Sequence, residues 1–399
     1  MLQATPEPST SPTLADGTTE PPTSTAAAPG ESVAAPGGSV AAQLAFTSYL
    51  RVFAIVGVVL VHSAGLTYIN DDLRNTAAWW VASLATISTK WAVPTFVMVS
   101  GALLLKPPAD LSATVFYRRR LSRIGIPLVF WHVFYITVLA TLLTARPNPL
   151  TIIGSFLRGE SYTGGYFFWL ILGLYVITPL LWPLVASTSP RTLGIIGALL
   201  AAAAAVNLST LRLIGRLEDG NSPAGDPTLF TQFVPYVGFF ILGYALRGVI
   251  VRGRAKVTAL AVLTTALCLE PTWQLTGPFV FGQETADNLN LVNPVSYQGW
   301  SLGLAAVAVF VLAQSIAHPA SRWAQPRAAR WARQAGDLTL GVYATHLGLL
   351  MILTRIPGHS WPDGAKTMPQ LFALCTLTVL GAFAMSFVLK RIPLLRRTV

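Results

Sequence analysis

The chain has 399 residues, of which 53% are hydrophobic and only 11% charged, and its mean hydropathy is +0.57. A soluble domain carries about 25% charged residues, so this composition excludes an ordinary water-soluble protein and points to a chain that faces lipid. The net charge of +11 raises nucleic acid as a partner, and the placement of the basic residues decides whether that reading is needed.

Residues 1–45 are rich in Pro, Thr, Ala, Ser and Gly, contain no Lys or Arg and hold no apolar run. Such a segment cannot bury enough surface to offset the entropy of ordering, and it is predicted to be a disordered cytoplasmic tail. It lacks the positive start and apolar core of a signal peptide, so the first crossing helix is expected to be retained. From Phe46 to Lys390 apolar segments recur at roughly 17 to 25 residues, the length a helix needs to cross a bilayer. Hydropathy and charge breaks place them at 46–68, 78–105, 124–145, 166–187, 192–209, 229–250, 256–274, 295–317, 337–354 and 368–390. The predicted fold is therefore all-α, a polytopic membrane helical bundle of about ten transmembrane helices over residues 46–390. A short basic cytoplasmic tail follows at 391–399. The second span contains Lys90 and Pro94, which predicts a kink or a re-entrant break there.

With the N-terminus inside, 18 of the 27 Lys and Arg residues fall in cytoplasmic connections and 7 on the opposite side. That division predicts two cytoplasmic termini and an even number of crossings, and it accounts for the net charge without nucleic acid. The two cysteines, Cys268 and Cys375, lie in apolar segments with no partner or metal spacing, so no metal site is expected. Trp79, Trp80, Trp182 and Trp361 sit near span ends and read as interfacial belts. The inverted halves of many secondary transporters are not apparent.

Ionisable groups inside a span cost roughly 2.5–3.5 kcal/mol at its centre, so each asks for a reason. In the first span Arg51 and His62 are eleven residues apart, about three turns, which puts them on one face about 16 Å apart along the axis. An arginine there can grip a phosphate or carboxylate through its planar fork, and a histidine can act as a general base near neutrality. Spacing alone fits equally an arginine that snorkels to the interface and a histidine bonded to a neighbouring helix. At the mouth of the third span, Arg120 and Arg123 of the run Arg118-Arg119-Arg120-Leu121-Ser122-Arg123 share a helical side. They could clamp the phosphates of a cytosolic nucleotide-like cofactor, and ordinary positive-inside charge explains them as well.

Taken in chain order, these residues resemble the membrane acyltransferase-3 family, which moves acetyl and related groups onto sugars and other hydroxylated acceptors. The motifs are Arg51 with ten residues and then His62, Val93-Pro94 through Ser100-Gly101, Arg120-Leu121-Ser122-Arg123 before Pro127, Leu172 through Pro179, Pro235 through Tyr244, and Leu340 through His346. Two positions depart from the family pattern. Ser48 stands where an acid is usual three residues before the arginine, and Gly164-Gly165-Tyr166 stands where a His-Leu-Trp run is common.

The resemblance implies an integral bacterial inner-membrane enzyme that takes acyl-CoA, by default acetyl-CoA, from the cytoplasm. Arg51, Arg120 and Arg123 would hold its anionic part, and His62 would be the base on the acceptor hydroxyl of a sugar, glycan or glycosylated small molecule. Tyr343, Ser100 and Asn207 are polar groups that could face the cavity and stabilise the oxyanion. His346 and Glu270 are further cavity candidates, with a helix-to-helix hydrogen bond or an interfacial placement as their alternatives; His132 and Lys90 read as structural or snorkelling. The rival reading is a transporter or flippase with Arg51, Lys90, His62 and Glu270 along a substrate or proton pathway.

Overall fold

The computed structural model describes residues 37–106, 112–142, 148–159, 162, 164–218, 227–293, 296–318, 321–355 and 364–399. Every regular element among them is helical: α1 (Gly37–Tyr68), α2 (Ala77–Ser88), α3 (Ala92–Leu104), α4 (Ala113–Leu142), α5 (Pro149–Leu157), α6 (Tyr166–Ser187), α7 (Pro190–Leu217), α8 (Val237–Ala245), α9 (Gly253–Phe281), α10 (Gln283–Val292), α11 (Trp300–Ile316), α12 (Pro326–Leu353) and α13 (Met368–Arg391). The all-α membrane bundle is as expected.

By length and composition seven segments can cross a bilayer: Phe46–Tyr68, Ala77–Leu104, Ala113–Val138, Tyr166–Ser187, Pro190–Leu217, Pro326–Leu353 and Met368–Arg391. The other three expected crossings fall on α8, α9 and α11. Helix α8 is short because Pro235 opens it through a 3-10 turn and Gly248, at φ +80°, ends the segment beyond it. Helix α9 has the length, but it carries Arg254, Lys256, Glu270 and two internal prolines, which lowers its apolar character. Large apolar side chains such as Val129, Leu180 and Leu199 stand exposed on outer faces, as lipid-facing positions require.

Several boundaries differ from the sequence reading. Helix α1 starts at Gly37 rather than Phe46, so 37–45 are helical; the rest of the expected tail, 1–36, lies outside the described residues. Helix α4 starts at Ala113, eleven residues ahead of the expected span at 124, and carries the whole basic run. The 391–399 segment forms a 3-10 turn at Leu395–Arg397, and Trp131 Nε1 donates to the Thr398 carbonyl at 2.8 Å, which docks it on α4.

The break expected in the second span occurs at Thr89–Trp91, between α2 and α3. Pro94 is the third residue of α3, where its missing N–H would have had no intrahelical partner. Trp79 and Trp182 also bond within the bundle. Trp79 is buried and donates to the Tyr68 carbonyl at 3.0 Å, and Trp182 donates to the Leu104 carbonyl at 3.2 Å; both tie helices together. Trp361 lies outside the described residues.

Helix α1 packs against α2, α3, α11, α12 and α13, with Leu50, Ala54, Ile55 and Val59 fully buried. Helix α3 is held against α8 by glycines on both sides: a Cβ on Gly101 would fall on the Phe240 carbonyl, and one on Gly243 on the Met98 carbonyl. Small residues allow this backbone approach in a membrane bundle. Gly101→Ala is expected to force the helices apart at a cost of ~1–3 kcal/mol, read as a lower melting temperature in detergent; an unchanged melt would show that the contact gives way freely.

Candidate active site

Four helices bring motif residues of the sequence reading to one place. A cavity of about 440 Å³ is lined by Arg51 and His62 from α1, Ser100 from α3, Arg120 and Arg123 from α4, and Tyr343 from α12. The helical spacing on α1 does what 3.6 residues per turn requires: both side chains line the same space at different depths.

At one end lie the three guanidinium groups. Arg51 donates through Nε to the Thr47 carbonyl and through Nη2 to Ser48 Oγ, each at 3.4 Å. Arg120 has its guanidinium carbon 5.9 Å from the centre of the Phe116 ring, and Arg123 stands one helical turn further on. Tyr175 lies within the field of all three arginines, so residues of the Leu172–Pro179 motif form the wall beside them.

The sequence reading missed Asp337. It lines this cavity from α12, and its charge acts on both Arg51 and Lys390. A carboxylate thus reaches the arginine end of the cavity from another helix, while the Thr47 carbonyl and Ser48 Oγ take the hydrogen bonds of Arg51. Asp337 is the lone acid of α12, and a solitary acid at the start of an apolar span was the available signal. Lys390 completes the corner by donating its Nζ to the Asp337 backbone carbonyl.

At the other end are His62, Gly164, Tyr166, Tyr297 and Tyr343. Tyr343 donates its hydroxyl to the Gly164 carbonyl, and the Tyr166 and Tyr297 side chains are hydrogen-bonded to each other. Gly164 takes φ +84°, and a Cβ there would sit 3.7 Å from His62 Nε2. The Gly164-Gly165-Tyr166 stretch, a departure from the family pattern, therefore builds the wall facing the histidine. Ser100 donates to the Phe96 carbonyl at 3.0 Å, so the hydroxyls of both Ser100 and Tyr343 are engaged with backbone oxygens.

The acyltransferase domain family model matches residues 44–387, a stretch that runs from the start of the first crossing to the last turn but one of α13. The chain belongs to the acyltransferase-3 family. No curated protein and no solved structure matches it.

In this acyltransferase three candidates, Glu270, His346 and Asn207, fall outside the cavity lining. Glu270 is buried on α9, where Asn293 and Ser301 donate to its Oε2, while its Oε1 has no hydrogen-bond partner among the described residues; it ties α9 to Asn293, just beyond α10, and to the first turn of α11. A carboxylate inside a span reads as functional from sequence, yet here its hydrogen bonds brace the loop that delivers Tyr297. Glu270→Ala is expected to lower stability by ~1–3 kcal/mol, because Asn293 and Ser301 lose their shared acceptor, while donor affinity stays unchanged. Thermal melting beside a donor titration checks both halves.

His346 is fully buried and absent from the lining, with its ring centre 5.3 Å from that of His62; it stands behind the candidate base rather than beside substrate. Asn207 is exposed on α7 and takes no part. His132 is satisfied on both ring nitrogens, with Nδ1 2.8 Å from the Leu128 carbonyl and Nε2 accepting from Trp169 Nε1 at 3.1 Å, which makes it structural. Lys90 sits in the α2–α3 turn within the fields of Glu270 and Arg212, away from the cavity.

Proposed function

We propose that this membrane acyltransferase moves an acyl group, acetyl in the simplest case, from acyl-CoA to a hydroxyl of a sugar or glycan-like acceptor. The observation that carries the reading is one cavity with three arginines at one end and His62 at the other. An acyl-CoA has the matching polarity. Its phosphates suit a cluster of planar, permanently charged forks, and a flexible arm separates them from the thioester by a distance of the order of the three turns between Arg51 and His62.

The chemistry then follows from the residues at each end. Arg51, Arg120 and Arg123 hold the phosphates, with Asp337 orienting Arg51. His62 Nε2 takes the proton of the acceptor hydroxyl as its oxygen bonds to the thioester carbonyl carbon. The tetrahedral oxyanion needs donors in place before charge develops, and the hydroxyl pair of Tyr166 and Tyr297 is available in the cavity. Collapse breaks the carbon–sulfur bond, and the imidazolium returns its proton to the departing CoA sulfur. The aromatic walls of the deep end offer flat faces to a sugar ring. In this reading the enzyme lies in a bacterial inner membrane with both termini cytoplasmic, so that the arginine end faces the cytosolic donor, as the charge distribution favours.

The test is transfer from labelled acetyl-CoA by purified protein in detergent, with membrane glycolipids and sugars as acceptors. Label in an alkali-labile ester on a sugar is the expected result. Transfer only from a donor other than acyl-CoA would overturn the donor assignment, and solute uptake without acylation would favour a transporter.

A further inference from the structure

The buried histidine of α12 has chemistry that the mechanism above leaves unused. His346 Nδ1 lies 2.6 Å from the Tyr343 carbonyl and 3.2 Å from the Val342 carbonyl. Carbonyls only accept, so Nδ1 carries the proton, and in the neutral ring Nε2 is then a bare lone pair. That Nε2 is buried and has no hydrogen-bond partner among the described residues. An unsatisfied buried acceptor in a residue that is 0% exposed calls for a physical reason.

The ring beside it is His62, with centroids 5.3 Å apart and planes tilted by 45°. His62 Nε2 is on the Gly164 side, at the cavity wall. If Nε2 is to accept a proton from an acceptor hydroxyl, the resting proton of His62 belongs on Nδ1, and Nδ1 then needs an acceptor of its own.

We propose that His346 is a positioning residue for His62, an inference that rests on reading His62 as the base. In the acceptor-bound state His346 Nε2 accepts the Nδ1–H of His62. This fixes the tautomer and ring orientation with the Nε2 lone pair turned to the cavity, and it stabilises the imidazolium formed during transfer. The proton taken from the acceptor resides on His62 Nε2 and passes to the CoA sulfur; His346 gains and loses none. The arrangement follows the logic of a histidine held by a third group, with a second imidazole in place of a carboxylate, which keeps a charge out of the membrane interior.

The experiment compares His346→Gln, His346→Asn and His346→Phe. A glutamine amide oxygen reaches the position of Nε2, whereas asparagine reaches only that of Nδ1, so the two separate acceptance toward His62 from anchoring on the Tyr343 carbonyl. We expect His346→Gln to keep kcat within about threefold, and Asn and Phe to lower it roughly 10- to 100-fold, as for other partners that orient a histidine, with KM unchanged in all three. A second readout needs neither donor nor acceptor: carbethoxylation of His62 by diethyl pyrocarbonate, followed by mass spectrometry with His62→Ala as the blank, should be slowed in Asn and Phe and preserved in Gln. Because that labelling is read on the protein alone, it fails separately from the acyl-CoA assignment. Equal labelling of His62 across the three variants, or asparagine matching glutamine in kcat, overturns the proposal.

Discussion

Membranes or purified protein carrying His62→Ala are expected to lose acyl transfer by roughly 10²- to 10⁴-fold, the range that a positioned general base contributes, while the affinity for acyl-CoA remains near that of the unaltered protein. The separation follows from the cavity. His62 lies at the deep end with Gly164 and the tyrosines, and the arginines lie at the other; its removal leaves the phosphate grip untouched. Single-turnover transfer and equilibrium binding of labelled acetyl-CoA read the two quantities independently. His62→Gln is the better-packed variant, since it fills similar space beside His346 without a titrating nitrogen. Full transfer by either variant would remove the proposed base.

The second large effect belongs to the arginines. Arg51→Ala is expected to raise KM for acyl-CoA roughly 10- to 100-fold, since a charge-assisted hydrogen bond is worth ~1.5–3 kcal/mol. Arg51→Lys should recover only part of this, because an ammonium cannot make the planar, two-pronged contact of a guanidinium. Arg120→Ala and Arg123→Ala are expected to weaken binding less individually, Arg123 being the more exposed of the pair and its field the more screened. Initial rates at varied acyl-CoA, repeated at two salt concentrations, measure all four variants. A fall in kcat with KM unchanged for Arg51→Ala would place that residue in the chemical step instead of the donor grip.

Much of this site is readable in the chain, for reasons that are local. Arg51 and His62 are joined by a single helix, and helical geometry carries their relation from sequence to space without any knowledge of the neighbours. The break at Lys90 follows as directly, from a charge and a proline that a continuous span accommodates poorly.

What failed depended on partners that no local pattern encodes. Glu270 resembles a site residue because a carboxylate in a span is costly, and only the fold reveals that it lies outside the cavity lining with Asn293 and Ser301 on its Oε2. Asp337 was overlooked because it stands at a span boundary, where a charge needs no explanation, and its importance arises from α12 lying against α1. The run at Arg118–Arg123 was explained as well by ordinary positive-inside charge because nothing local shows that it faces a cavity shared with α1. Gly164 was notable only as a departure from a family pattern, although its φ of +84° and its place opposite His62 make it part of the wall. The short helices α5 and α10 escaped for the ordinary reason that neither has the length of a crossing.

Where an acyl-CoA sits decides whether the three arginines grip the donor and His62 meets its thioester. A structure by electron cryomicroscopy of the protein in nanodiscs, bound to a non-transferable thioether analogue of acetyl-CoA, measures this directly. The expected map shows the phosphates among Arg51, Arg120 and Arg123 and the acyl end beside His62 Nε2. An analogue whose acyl end lies away from His62, or whose phosphates contact none of those arginines, would contradict it.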